Sequence, residues 1–359
     1  VPNPELEEQA ASERPESPAA EPATMASVAA APGKGPAPKS GGAAAKTKKA
    51  RRRFRRRTRL RAAGMAVVLG AGVIAAVLTA HGLDSRPEPD LSQVAPAYHG
   101  FAVSLPWPSD GETALWAEDV GSLGTCGDQR PVPIASVAKV MTAYVILKDH
   151  PLADEDPGPS VLVDHQAETE SFDRDESSAP VRAGQSLSER SLLELMLVPS
   201  ANNVARLLAR WDAGSQAAFV AKMNAASAAL GMKNTTYTDP SGYDSATRST
   251  AADQLRLARV ALTDPTLLAM TAEPFAQVPD DAAVLSNTDA LLGTDGVVGG
   301  KTGSSTPAGG ALMWAAHRTV NGADHLVLGV VLHQNAGTTP DRGLTSALIV
   351  SRRLVEAMY

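Results

Sequence analysis

The sequence predicts an α/β protein of the α+β type, an antiparallel sheet covered by helices with a helical subdomain. Two late runs, "GALMWAAHR" and "HLVLGVVLH", are strand-like and joined by "TVNGAD", whose Asn321-Gly322 pair is a strong hairpin signal. The middle of the chain carries apolar residues at helical spacing instead, as in "NNVARLLARW" with Val204, Leu207, Leu208 and Trp211. An early strand, "ETALWAEDV", and a closing amphipathic helix, "TSALIVSRRLVEAMY", complete an order of strand, helices, strands and helix.

Several segments precede this domain. Residues 1–45 are rich in Pro, Ala, Glu, Ser and Gly and offer little to bury, which predicts a disordered tail. Residues 46–61 form a basic run with eleven Lys or Arg and no acid. Ala62–Ala80 follows at once, 19 residues without a charge. As a helix it would span roughly 28 Å, close to the hydrocarbon thickness of a bilayer. Cations on one flank predict a membrane anchor with a cytoplasmic N-terminus and an extracytoplasmic domain beyond it. Leu78 stands where a cleavage signal would want a small residue, so the anchor is expected to stay attached. Residues 81–102, with Pro87, Pro89 and Pro96, read as a linker, and 103–359 as the folded domain.

Within that domain a turn is expected at Gly121 to Gly127, leading back from the first strand. Ser186 and Glu189 have capping-box spacing before "RSLLELML", and Pro199 ends or kinks that helix. Ser215 caps a helix that Gly231 stops, and Thr250 with Asp253 opens the next.

Composition excludes several functions. Hydrophobic residues make up 43% of the chain, enough for a sizeable core. From Ala62 onward there are 19 basic and 33 acidic residues, a net of −14, which argues against nucleic acid as a partner of the domain. Cys126 is the single cysteine and cannot form an intrachain disulfide. The seven histidines are scattered and match no metal-site pattern, so no metal or other cofactor is expected.

One cation stands out. "PIASVAKVMTAYVIL" carries a single charge, Lys139, three residues after Ser136. It either lays its stem on apolar surface with its tip in water, or is desolvated until it can act as a base for Ser136. Two further triplets bear on the choice: Ser200-Ala201-Asn202 after the helix that Pro199 ends, and Lys301-Thr302-Gly303 on an expected strand. Each alone has an ordinary reading as a helix cap or strand end. Together, in this order, they are the motif set of β-lactamases and penicillin-binding proteins.

The stretches "PIASVAKVMTA", "ELMLVPSANNVA", "LGMKNTTYTDPSGY", "STAADQLRLA" and "GGKTGSSTPAGGALMWAA" carry the resemblance further. Over roughly residues 105–335 the chain resembles the D-alanyl-D-alanine carboxypeptidases of the low-molecular-mass penicillin-binding class. The resemblance implies a β-lactamase/penicillin-binding transpeptidase-like fold, with Ser136 as the acylated nucleophile and Lys139 as its base. Ser200 and Asn202 would relay protons and bind the substrate amide. Lys301 would tune the site, Thr302 would hold the substrate carboxylate, and Gly303 and Ser304 would belong to the substrate-binding set. The N–H groups of Ser136 and Ser304 would form the oxyanion hole. Peptidoglycan stem peptides are the implied substrate and β-lactams the implied covalent inhibitors.

The residues agree with that chemistry. A serine hydroxyl needs a neighbouring base, and positions i and i+3 share a helix face. A second ammonium, Lys301, would disfavour the charged form of Lys139. Departures from the family are Ala138 before the lysine, Asn203 where an acid is common, and Ser304 after Lys-Thr-Gly. Arg318 and Arg342 are candidates for the carboxylate partner. Glutamate is absent between Glu194 and Glu273, the interval where a class A β-lactamase carries its water-orienting glutamate, although Asp239 or Asp244 could substitute. Competing readings with the same residues are a DD-endopeptidase, a catalytically idle cell-wall-binding protein and a β-lactamase.

Overall fold

The computed structural model describes residues 104–320 and 322–358. The expected tail, basic run, anchor and linker lie outside the described residues, as does Asn321 of the hairpin signal. Among the described residues no helix is long and apolar enough to cross a membrane.

The chain opens with β1 (Glu112–Ala117) and β2 (Gly121–Cys126). A 3-10 turn, Ala135–Ala138, then runs directly into α1 (Lys139–Asp149). Six further helices follow: α2 (His165–Glu170), α3 (Glu189–Leu197), α4 (Asn202–Ala213), α5 (Gln216–Ala229), α6 (Ala251–Ala261) and α7 (Pro265–Ala272). The chain returns to the sheet with β3 (Val297–Ser305), β4 (Gly309–Val320) and β5 (Ala323–Gln334), and closes with α8 (Pro340–Glu356).

The sheet has the order β2-β1-β5-β4-β3 and every neighbouring pair is antiparallel. Side chains alternate between its faces. On β4, Ala311, Met313 and Ala315 join the larger core with the helices between β2 and β3. Leu312, Trp314 and Ala316 join a second core with Leu354 and Val355 of α8. Both faces are thus covered, which is why β4 and β5 read as nearly continuous apolar runs. The arrangement leaves β3 as an edge strand whose far end meets the 3-10 turn.

Local signals explain the helix boundaries, with two corrections. Ser215 accepts from the Ala218 N–H at 3.2 Å to start α5, and Gly231 follows its end at φ +72°. Thr250 accepts from the Asp253 N–H at 3.1 Å to start α6. The cap of α3 is Ser188, which accepts from the Ser191 N–H at 3.1 Å, and not Ser186. Ser186 lies two residues before that cap, at the start of a short strand, Ser186–Ser188, paired against Ser160–Leu162. The expected turn at Gly121 to Gly127 is the strand β2, and the chain reverses just before it, around Asp119 at φ +59°. Its glycines disguised a strand that pairs with β1 through an irregular register at Leu115/Trp116.

Candidate active site

Ser136 is the second residue of the 3-10 turn and is half-buried. Ala135 before it is held at φ +47°, a conformation that costs a non-glycine residue free energy of order 1 kcal/mol. Gly242 braces this bend: a β-carbon there would stand 1.9 Å from the Ala135 carbonyl oxygen. Only glycine allows that approach.

Lys139, the first residue of α1, is fully buried. Its Nζ lies 2.7 Å from Ser136 Oγ, 3.4 Å from Ser200 Oγ, 2.6 Å from Asn202 Oδ1 and 3.0 Å from the Ser241 carbonyl oxygen. There is no carboxylate among these partners. Burial, and then the Lys301 charge, hold the Lys139 ammonium well below its ordinary range, with Arg206 acting in the same direction and Asp239 and Glu176 opposing. Of the two readings the sequence allowed, the side chain does not reach to water. A neutral amine has two N–H donors and one lone pair. Asn202 Oδ1 and the Ser241 carbonyl take the donors, which leaves the lone pair to the hydroxyls of Ser136 and Ser200.

The Ser-x-Asn triplet joins α3 to α4. Ser200 is buried at φ +69°, a second strained non-glycine residue at this site. Asn202 opens α4; its backbone N–H donates to the Ser177 carbonyl at 2.8 Å and its Nδ2 to Glu176 Oε2 at 2.7 Å. Asn203, the departure from an acid, is fully buried. Its Nδ2 donates to the carbonyls of Ala167 and Ala179, and its Oδ1 accepts from the Ala179 N–H. A carboxylate could make only the last of these three bonds.

The Lys-Thr-Gly triplet lies on β3. Lys301 is buried, its Nζ donates to the Thr302 carbonyl at 3.1 Å, and burial pulls its ammonium down to about 7 against the opposing charge of Asp289. Thr302 shares a hydroxyl hydrogen bond with Thr288. Gly303 packs on the 3-10 turn, where a β-carbon would be 3.0 Å from the Ser136 nitrogen. Ser304 is half-buried beside it. Ser136, Asn202 and Ser304 line one cavity of about 710 Å³, together with Glu176, Tyr243 and Asp341.

Of the two alternative acids, Asp239 is held within its own loop and Asp244 is exposed. Asp239 accepts from the Ser241 N–H and Oγ, the Tyr243 N–H and the Thr247 hydroxyl. Asp244 accepts from the Ala246 N–H. Arg318 is excluded as a carboxylate partner: it is buried and donates to the Val355 and His317 carbonyls, tying β4 to α8. Arg342 is exposed in the first turn of α8, next to Asp341 of the cavity wall. Sequence reasoning missed Ser241, which acts through a backbone carbonyl that no side-chain pattern reports. It also missed Glu176, which lies 26 residues before the asparagine it contacts.

Comparison with known proteins identifies the family. A family model described as D-alanyl-D-alanine carboxypeptidase matches residues 125–335. The chain is 36% identical to the D-alanyl-D-alanine carboxypeptidase DacB2 of Mycobacterium tuberculosis over 227 residues, 60% of this chain and 74% of that protein. It is also 36% identical to a D-alanyl-D-alanine endopeptidase of Pseudomonas aeruginosa over 188 residues, 51% of this chain and 58% of that protein. The crystal structure of a D-alanyl-D-alanine carboxypeptidase from Mycobacterium tuberculosis is similar with a TM-score of 0.59 at 30% identity, covering 72% of this chain and 94% of that one. A DD-transpeptidase from Streptomyces shares the fold with a TM-score of 0.62 at 23% identity, over 71% of this chain and 99% of that one.

Proposed function

The chain belongs to the D-alanyl-D-alanine carboxypeptidase family, and we propose that it uses Ser136 to remove the terminal D-alanine of peptidoglycan stem pentapeptides. It is a serine-type hydrolase, and the observation that carries the assignment of its nucleophile is the 2.7 Å approach of a buried, carboxylate-free Lys139 to Ser136 Oγ.

In this reading the Lys139 amine takes the Ser136 proton as Oγ attacks the carbonyl of the penultimate D-alanine. The charge that develops on the carbonyl oxygen faces the N–H groups of Ser136 and Ser304. Collapse breaks the C–N bond, and the departing D-alanine amine receives a proton from Lys139 by way of Ser200. Water then hydrolyses the ester on Ser136. Asn202 holds the substrate amide and the Lys139 amine at once, while Lys301 and Thr302 take the terminal carboxylate. A β-lactam would enter by the same attack, since its ring amide mimics the scissile bond.

A DD-endopeptidase reading shares every one of these groups, and the Pseudomonas relative's name favours keeping it. Digestion of a defined pentapeptide and a defined crosslinked dimer separates the two. Release of free D-alanine from the pentapeptide, with the dimer cut much more slowly, is expected; the reverse order would make the chain an endopeptidase. The intact constellation supports an active enzyme over an idle wall-binding protein.

The basic run and apolar segment of residues 46–80 support a single-pass membrane anchor that places the enzyme outside the membrane. Protease added to intact protoplasts should digest the domain beyond Pro106; protection of that domain would reverse the topology.

A further inference from the structure

A chain of polar side chains leads away from Lys139. Asn202 Oδ1 is 2.6 Å from the lysine, and Asn202 Nδ2 donates to Glu176 Oε2 at 2.7 Å. The same Glu176 oxygen accepts from Arg206 Nη1 at 3.0 Å, and Arg206 Nε donates to Glu170 Oε2 at 2.9 Å. Glu176 and Arg206 side chains are only 9% and 13% exposed, so this ion pair is largely removed from water. Arg206 sits one turn beyond Asn202 on α4. We infer that Glu176, braced by Arg206 and Glu170, is a positioning residue that locks the Asn202 amide in the orientation Lys139 requires. The inference rests on the assignment of Ser136 and Lys139 above.

An asparagine amide can be turned over with little change in shape, so its neighbours decide which end faces which way. A carboxylate only accepts. Glu176 therefore draws the Nδ2 end, and Oδ1 must face Lys139. That orientation commits one lysine N–H to Asn202 while the Ser241 carbonyl takes the other, leaving the lone pair for the Ser136 proton. With the amide reversed, Nδ2 would point at the lone pair and compete with the serine. The second Nδ2 hydrogen stays available to the substrate, because Asn202 also lines the cavity.

A simpler role would be to tether the loop carrying Glu176 to α4, and the two roles give different kinetics. Glu176→Met removes the acceptor while keeping most of the side chain's length, so nothing holds Nδ2 and the asparagine is free to turn over. Glu176→Gln keeps one oxygen, and a single oxygen already accepts from both Asn202 and Arg206. The probe is a fluorescent penicillin, and the readout is its second-order acylation rate from pH 5 to 9, with melting temperature as a check on folding.

Three effects are expected. Glu176→Met should acylate at least tenfold more slowly at pH 7 while remaining folded. Glu176→Gln, whose one oxygen can accept from both Asn202 and Arg206, should recover most of the rate. The acid limb of the profile reports Lys139, which Glu176 and Asp239 favour in its charged form and Arg206 and Lys301 disfavour. The limb should therefore move to lower pH in Glu176→Met and to higher pH in Arg206→Met. Acylation of Glu176→Met within twofold of wild type at every pH would overturn the inference. So would a loss shared equally by the Met and Gln variants that tracks their loss of folded protein. A wild-type chain that penicillin does not acylate would instead remove the assignment of Ser136 itself, an arm that involves no variant.

Discussion

Gly303 of β3 lies so close to Ser136 that a β-carbon built on it would stand 3.0 Å from the serine's backbone nitrogen, with the Ile134 carbonyl oxygen also at 3.0 Å and the Val137 nitrogen at 3.1 Å. The edge strand and the 3-10 turn meet backbone to backbone at this point, and the Ser136 N–H that would stabilise an oxyanion belongs to the contact.

Gly303→Ala should therefore separate the strand from the turn by a few tenths of an ångström. The expected result is an acylation rate at least tenfold lower, about 1.4 kcal/mol of barrier, with much smaller loss of thermal stability. Fluorescent-penicillin labelling and a melting curve on the same sample check it.

The pH dependence of peptide hydrolysis should be bell-shaped. Lys139 must lose its proton to act, which gives the rising limb. Lys301 must keep its proton to hold a carboxylate, and burial places its ionisation at about 7 in the free enzyme. Hydrolysis should fall above that pH. The loss should appear as a rise in KM more than a fall in kcat, because a bound carboxylate helps Lys301 retain its charge. Steady-state kinetics on a pentapeptide from pH 5 to 9 separate the two constants.

Glu189, the first residue of α3, is fully buried, and neither carboxyl oxygen has a hydrogen-bond partner among the described residues. Burial, aided by the charge of Asp156, raises its carboxyl from the usual 4.5 to about 7. Between these values the folded chain holds a proton that the unfolded chain has released, so stability falls as pH rises through the window. Glu189→Met should thus stabilise the protein at pH 8 by roughly 1–3 kcal/mol and by clearly less at pH 5, as read by urea denaturation at both.

Much of this architecture was legible in the sequence, and the limits have physical causes. The strands β4 and β5 announce themselves because both faces of the sheet are covered and their central residues form nearly continuous apolar runs. Ser136, Lys139, Ser200, Asn202 and the Lys301–Ser304 segment could be named because their side-chain types and order are distinctive; Ser136, Asn202 and Ser304 line one cavity, with Lys139 buried behind Ser136 and Asn202. β2 was hidden because "GSLGTC" pairs through its backbone and has little side-chain pattern to read. Ser188 was passed over for Ser186 because three-residue spacing alone cannot distinguish a cap from a strand residue. Glu176 and Ser241 were invisible for a related reason: each reaches Lys139's surroundings by tertiary approach, one through a distant loop and the other through a carbonyl that every residue possesses.

A penicillin on Ser136 should be cleared slowly, because glutamate is absent between Glu194 and Glu273, where a class A β-lactamase carries its water-orienting glutamate. Asp239, the acid beside Ser241, is engaged in holding its own loop. Each thousandfold slowing of hydrolysis corresponds to about 4 kcal/mol of barrier. The most direct test is intact-protein mass spectrometry of the chain exposed to penicillin, freed of drug and followed over time. One adduct per chain, absent in Ser136→Ala and persisting for minutes or longer, is the predicted result. An adduct that forms equally in Ser136→Ala, or that disappears from the wild type within seconds, would contradict it.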